Sequence, residues 1–185
     1  MLRFERQPPG TAITRASLVV GGASAAAAGV LIVDRQPELA AACAAGSAVV
    51  LLIGGHRANH GAGGPTDRML DELLDRWWDA MVLGTIAWVA RTADPSVAIA
   101  ALAALCLSAL SSYVRARGAS LAYSVEESHV TRGIRYSLVA IGLAFGWLHW
   151  TLWAAAALSA LAAIVRASQV AREERASHGA RGEQP

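Results

Sequence analysis

The 185-residue sequence contains no lysine: its 16 basic residues are all arginine. It has two cysteines, two phenylalanines and three tyrosines, and only 16% of its residues are charged. A soluble domain of this size carries about a quarter charged residues. The shortage of charge, with 55% hydrophobic residues and a mean hydropathy of +0.39, argues against both a soluble fold and disorder. Fourteen acids leave a formal net charge of +2, too balanced for a nucleic-acid binder judged by charge alone. Cys43 and Cys106 lie inside apolar runs, where cysteine acts as a small hydrophobe. They form no disulfide framework and no metal-ligand pattern. What remains is a membrane protein, long enough for one domain.

Long charge-free runs are what the sequence does have. Ala16–Val33, Leu39–Gly55 and Pro95–Val114 are each about long enough to cross a bilayer core of roughly 30 Å at about 1.5 Å per residue. The run Tyr136–Val165 is interrupted only by His149. Its cluster Gly146-Trp147-Leu148-His149-Trp150 reads as an interfacial turn, because tryptophan favours the membrane surface. That divides the run into two short spans. A sixth helix over Asp67–Ala90 starts acidic and ends apolar. The expected fold is therefore all-α, an integral membrane bundle of six transmembrane helices over residues 1–172. A charged, frayed cytoplasmic tail is expected over 173–185. The first run is long for a cleaved signal and reads as a retained span.

Arginine placement supports six spans. Thirteen of the 16 arginines fall on one side under that layout, which puts both termini in the cytoplasm. Asp94-Pro95 and Gln36-Pro37-Glu38 read as helix starts, with proline at the first helical position. Ser124 and Glu127 fit a capping box for a short helix before the fifth span. The Gly-rich, polar stretch His56–Thr66 reads as a loop.

Asp71, Asp75 and Asp79 recur every four residues and so share one helix face. On a helix that also carries Leu70, Leu74, Trp77, Trp78 and Met81, such carboxylates need a cavity, a partner or an ion. A divalent cation would hold them ionised. Pairing with Arg68 and Arg76 at helical spacing would do so too.

The order Leu70-Asp71-x-x-x-Asp75-Arg76-x-x-Asp79 resembles part of the signature of the CDP-alcohol phosphatidyltransferase family, Asp-x-x-Asp-Gly-x-x-Ala-Arg ahead of Gly-x-x-x-Asp-x-x-x-Asp. Ser112-Tyr113-Val114-Arg115-Ala116-Arg117 is similar to the stretch that ends that family's fourth helix. Thr131-Arg132-Gly133-Ile134-Arg135 is similar to the entry to its fifth. The resemblance implies a membrane phosphotransferase of phospholipid biosynthesis, which moves a phosphatidyl group from a CDP-linked lipid donor to an alcohol and releases CMP. It implies Mg²⁺ or Mn²⁺ on Asp71, Asp75 and Asp79, with Asp75 also the catalytic base. It further implies acceptor binding by Arg115, Arg117, Arg132 and Arg135, nucleotide contact at Gly55 and Asn59, a homodimer, and a bacterial plasma membrane.

The first half of the signature departs from the family. Depending on the alignment, Leu51 and Gly54, or Val50 and Ile53, stand where its first two aspartates belong. Asn59 replaces its arginine and Asp67 its later glycine. Leucine and glycine side chains cannot ligate a hard cation. His56, His60 and Asp67 are near in sequence, but imidazole suits Zn²⁺ better than Mg²⁺. A second reading is therefore an inactive relative, acting as lipid-binding scaffold or as partner to an intact paralogue. A third is an ion-coupled transporter that uses the intramembrane aspartates.

Overall fold

A computed structural model describes residues 9–60, 64–121, 123 and 129–182. They form six helices: α1 (Pro9–Val33), α2 (Pro37–His60), α3 (Pro65–Ala90), α4 (Pro95–Ser120), α5 (His129–Phe145) and α6 (Leu148–Gly182). Proline opens α1, α2, α3 and α4. Its fixed φ suits a first helical residue, and the N–H it lacks would have had no partner there. The Asp94 carboxylate caps α4, accepting from the N–H groups of Ser96 and Val97 at 3.1 and 3.2 Å. Between α1 and α2 the turn closes with Arg35 in the left-handed region (φ 56°) and a Gln36 N–H to Leu31 carbonyl bond of 2.9 Å. Gly146 (φ 71°) makes the break between α5 and α6, within the interfacial turn expected there.

Two boundaries differ from expectation. Of the expected loop His56–Thr66, His56–His60 continue α2, with Ala58 buried, and Pro65 and Thr66 open α3, while 61–63 lie outside the described residues. Gly54 and Gly55 just before it stay helical, with Leu18 of α1 and Asp71 of α3 packed directly onto them. The charged stretch after Arg172 continues α6 to Gly182. Alanine, glutamate and arginine extend an established helix at little cost. The capping box at Ser124 and Glu127 lies outside the described residues.

Four helices, α1, α2, α4 and α6, are long and apolar enough to cross a membrane. Charge sets α3 apart, and α5 has only 17 residues. α1 packs on α2 and α3, α4 on α3 and α6, and α5 on α2 and α6. Alanines such as Ala25, Ala28, Ala44, Ala100, Ala104 and Ala155 line the contacts and are buried. Small side chains let helix backbones approach closely where apolar surroundings supply no drive to associate. Trp78 is the largest core residue. It stacks on Tyr136 (centroids 4.1 Å apart) and donates its Nε1–H to Ser47 Oγ at 2.8 Å.

Apolar side chains occupy the outer surface as well as the core, and several charged ones are buried. Val20, Val30, Ile99, Leu161 and Ile164 face outward, whereas Asp67, Asp71, Asp75, Asp79, Arg132 and Arg135 are buried. That arrangement suits lipid around the bundle and polar groups satisfied within it.

Candidate functional site

α3 places Asp67, Asp71, Asp75 and Asp79 in one inward column, each at most 4% exposed. The four-residue repeat accounts for the column. Facing it on α5 are Arg132, Arg135 and Tyr136, one helical turn that shares a face.

The ion pairs interlock. Arg132 Nη1 donates to both oxygens of Asp71, at 2.9 and 3.0 Å, and its Nε lies 3.3 Å from Asp75 Oδ1. Arg135 bridges Asp75 and Asp79, with Nη2 to Asp75 Oδ1 at 3.2 Å and Nε to Asp79 Oδ1 at 3.1 Å. Arg76 reaches across its own helix to the other oxygens, pairing with Asp75 and lying 3.2 Å from Asp79. The Tyr136 hydroxyl donates to Asp75, and the Ser108 hydroxyl on α4 donates to Asp79. Asp67 accepts from Arg15 Nε of α1 at 2.6 Å and from the Gly64 N–H at 3.0 Å. Four carboxylates thus face four guanidiniums: Arg15, Arg76, Arg132 and Arg135. The facing guanidiniums offset the like-charge repulsion of the repeat.

Asp67 sits in the first turn of α3, outside the four apolar helices. The Arg15 hydrogen bond, helped by the Gly64 N–H, holds its carboxyl below the ordinary value against the opposing effect of burial.

A cavity of about 300 Å³ opens beside this lattice, between α3, α4, α5 and α6. Among the described residues its wall has five guanidiniums, Arg76, Arg115, Arg132, Arg135 and Arg166, but two carboxylates, Glu72 and Asp75. Arg115 pairs with Glu72 at 2.8 Å. Arg166 donates to the Ser111 carbonyl and hydroxyl at 3.2 and 2.8 Å. Ser108, Ser111, Ser112, Thr131 and Ser159 add hydroxyls to the wall.

The structure sorts the expected site residues. Asp75, Arg115, Arg132 and Arg135 meet at the cavity. Asp71 and Asp79 are in the lattice behind it. Arg117 is exposed, is not part of the cavity wall, and donates to Ser120 at the end of its own helix. Gly55 is not part of the cavity wall; it lies under Asp71, and a Cβ there would meet that carboxylate. The side chains of Asn59 and His60 lie outside the described residues. Arg76 does pair with the aspartates, whereas Arg68 is exposed. The sequence reading missed Tyr136, Ser108, Arg15 and Arg166. Tyr136 was detectable, since it falls four residues after Arg132. Ser108 and Arg166 carry no local signal.

The donor set does not fit a divalent-metal pair. All six carboxylate oxygens of Asp71, Asp75 and Asp79 already lie within 3.2 Å of a guanidinium nitrogen. Val50, Leu51, Ile53 and Gly54 offer no side-chain oxygen. Among the described residues no group of three His, Cys, Asp or Glu side chains is disposed to hold a metal ion. No family model matches the chain, and no curated protein matches it.

Proposed function

We propose that this chain is a multi-pass membrane protein that holds a phosphate-bearing ligand in the arginine-rich cavity. In this reading it is a relative of the CDP-alcohol phosphatidyltransferases that serves as a lipid-binding scaffold or partner subunit and not as a two-metal transferase. Supporting it above all is the cavity wall, with five guanidiniums against two carboxylates. Guanidinium forks match phosphate geometry, and the surrounding hydroxyls add neutral hydrogen bonds. The saturation of the aspartate oxygens by arginine argues against metal-assisted transfer.

The six-span layout with both termini in the cytoplasm belongs to the same proposal. α3 has 26 residues, enough to cross, and buries its four aspartates against α1, α4 and α5. α5 is short for a span, a mismatch that local bilayer thinning accommodates. The cavity would then open to the cytoplasm of a bacterial plasma membrane.

One observation favours the transferase: Asp75 lines the cavity, where it would accept the proton of an attacking hydroxyl. Tyr136, Arg76, Arg132 and Arg135 occupy its oxygens, which counts against that role.

Purified protein supplied with CDP-diacylglycerol, Mn²⁺ and a panel of alcohols should release no CMP. It should bind sn-glycerol 3-phosphate by calorimetry, with at least tenfold loss in Arg115→Gln. CMP release abolished by Asp75→Asn would establish the transferase instead. Absence of phosphate-ester binding would overturn the scaffold.

A further inference from the structure

We propose that Glu72 is a built-in counter-ion of the arginine cavity: its carboxylate competes with an incoming phosphate for Arg115 and so sets how strong an anion must be to enter. This rests on the reading that the cavity binds phosphate, and it adds the residue that regulates entry.

The two carboxylates of the cavity wall differ in kind. The Asp75 side chain is 5% exposed and is held by Arg76, Arg132, Arg135 and the Tyr136 hydroxyl. It belongs to the lattice, and parting it from those cations would leave charges buried and unmatched. Glu72 lies about one turn earlier on α3, and its side chain is 46% exposed. Among the described residues it pairs with Arg115 of α4, at 2.8 Å. A half-exposed pair of this kind contributes little, because water screens it and two long side chains must be held in one geometry. Glu72 therefore leaves Arg115 at small cost. Arg68, four residues earlier and exposed, stands at the spacing where side chains of one helix meet. A displaced Glu72 thus has a cation and water within reach.

Exchange at Arg115 sets the threshold. A guanidinium presents the same planar fork to carboxylate and to phosphate. A ligand carboxylate gains from Arg115 only what Glu72 already supplies, and Glu72 is tethered, so its local concentration is high. A phosphate monoester brings close to two charges at neutral pH and three strong acceptor oxygens. Those extra oxygens are matched by the wall, where Arg76, Arg166 and the serine hydroxyls border the same cavity of about 300 Å³. Glu72 thus turns away carboxylates and admits a phosphate monoester.

Calorimetry on the purified native chain and three variants tests this with two probes, sn-glycerol 3-phosphate and the carboxylate D-glycerate. The native chain should bind the phosphate ester at least tenfold tighter than glycerate. Glu72→Gln and Glu72→Ala remove the competing charge and should bind the ester about threefold to fivefold tighter than the native chain does, the worth of an exposed ion pair. Glu72→Asp keeps the charge on α3 but is one methylene too short for the contact, and should also bind the ester tighter. Glu72 is half-exposed, so all three variants should keep the native helix content by circular dichroism. If one of the uncharged variants does not fold, the other carries the comparison. Unchanged or weaker ester binding in the uncharged variants overturns the inference. So does a gain in them that Glu72→Asp lacks, because a distant field and not occupation of Arg115 would then account for it. Glycerate binding the native chain as tightly as the ester overturns it as well. In each of these cases ester binding by the native chain leaves the phosphate cavity standing. Absence of ester binding by the native chain and by every variant overturns both.

Discussion

Each aspartate of α3 is tolerated in a buried position by a specific neighbour, and those neighbours determine what a substitution costs. Arg132 serves Asp71 through both oxygens and Asp75 through one. Arg132→Gln leaves carboxylates buried with fewer cations and should cost about 3 kcal/mol. Adding Asp71→Asn should recover part of that loss, and a double-mutant cycle in detergent unfolding measures the coupling. Gly55 matters for a different reason. A Cβ on it would also lie 2.9 Å from Asp71 Cγ and 3.0 Å from its second oxygen. The neighbour is a charged group held by Arg132 and has little room to yield, so Gly55→Ala should destabilise by about 1–3 kcal/mol in the same assay. A nucleotide-contacting glycine, as the family resemblance implies for Gly55, would lose binding without losing stability.

At the level of helices, the start of α3 is tied to α1 through Arg15 and Asp67. The folded Asp67 carboxyl is held below its ordinary value. Its contribution is therefore fully present above the unfolded-state value of about 3.9 and is lost as pH falls through the lowered folded-state value. Asp67→Asn should flatten the acid limb of stability below about pH 4 and leave its neutral-to-alkaline shape unchanged, as read by tryptophan fluorescence against pH. The helices differ in how well local sequence foretells them. Pro37, Pro95 and the Asp94 cap mark starts that the structure keeps. The ends of α2 and α6 were harder to read, because Gly54, Gly55 and the arginines after Arg166 resemble breakers or a solvated tail when taken alone. Packing reverses the first: Leu18 lies against Gly54 and Asp71 against Gly55, so glycine there serves close helix approach.

Considered whole, the bundle encloses an aspartate–arginine lattice within an apolar shell, with arginine as the lattice's cation. Dialysis against EDTA should therefore leave the melting temperature unchanged. Mn²⁺ titration followed by electron paramagnetic resonance should show no specific uptake by the native chain. A metal-dependent site would lose several degrees on chelation, since ligand binding to the folded state raises its stability. The helical, membrane-compatible fold and the aspartate column were legible in the sequence alone. Both are local: hydropathy over about 20 residues and a repeat of four follow from the geometry of a single helix. Which cation answers the aspartates was decided only by tertiary structure. Arg132 is 61 residues from Asp71, and Arg135 is 60 from Asp75. No periodicity within one helix encodes which face of α5 meets which face of α3. The same packing joins Arg166 of α6 to Arg115 of α4 around one cavity, and a residue's neighbours across a bundle depend on the whole set of contacts and not on its own segment.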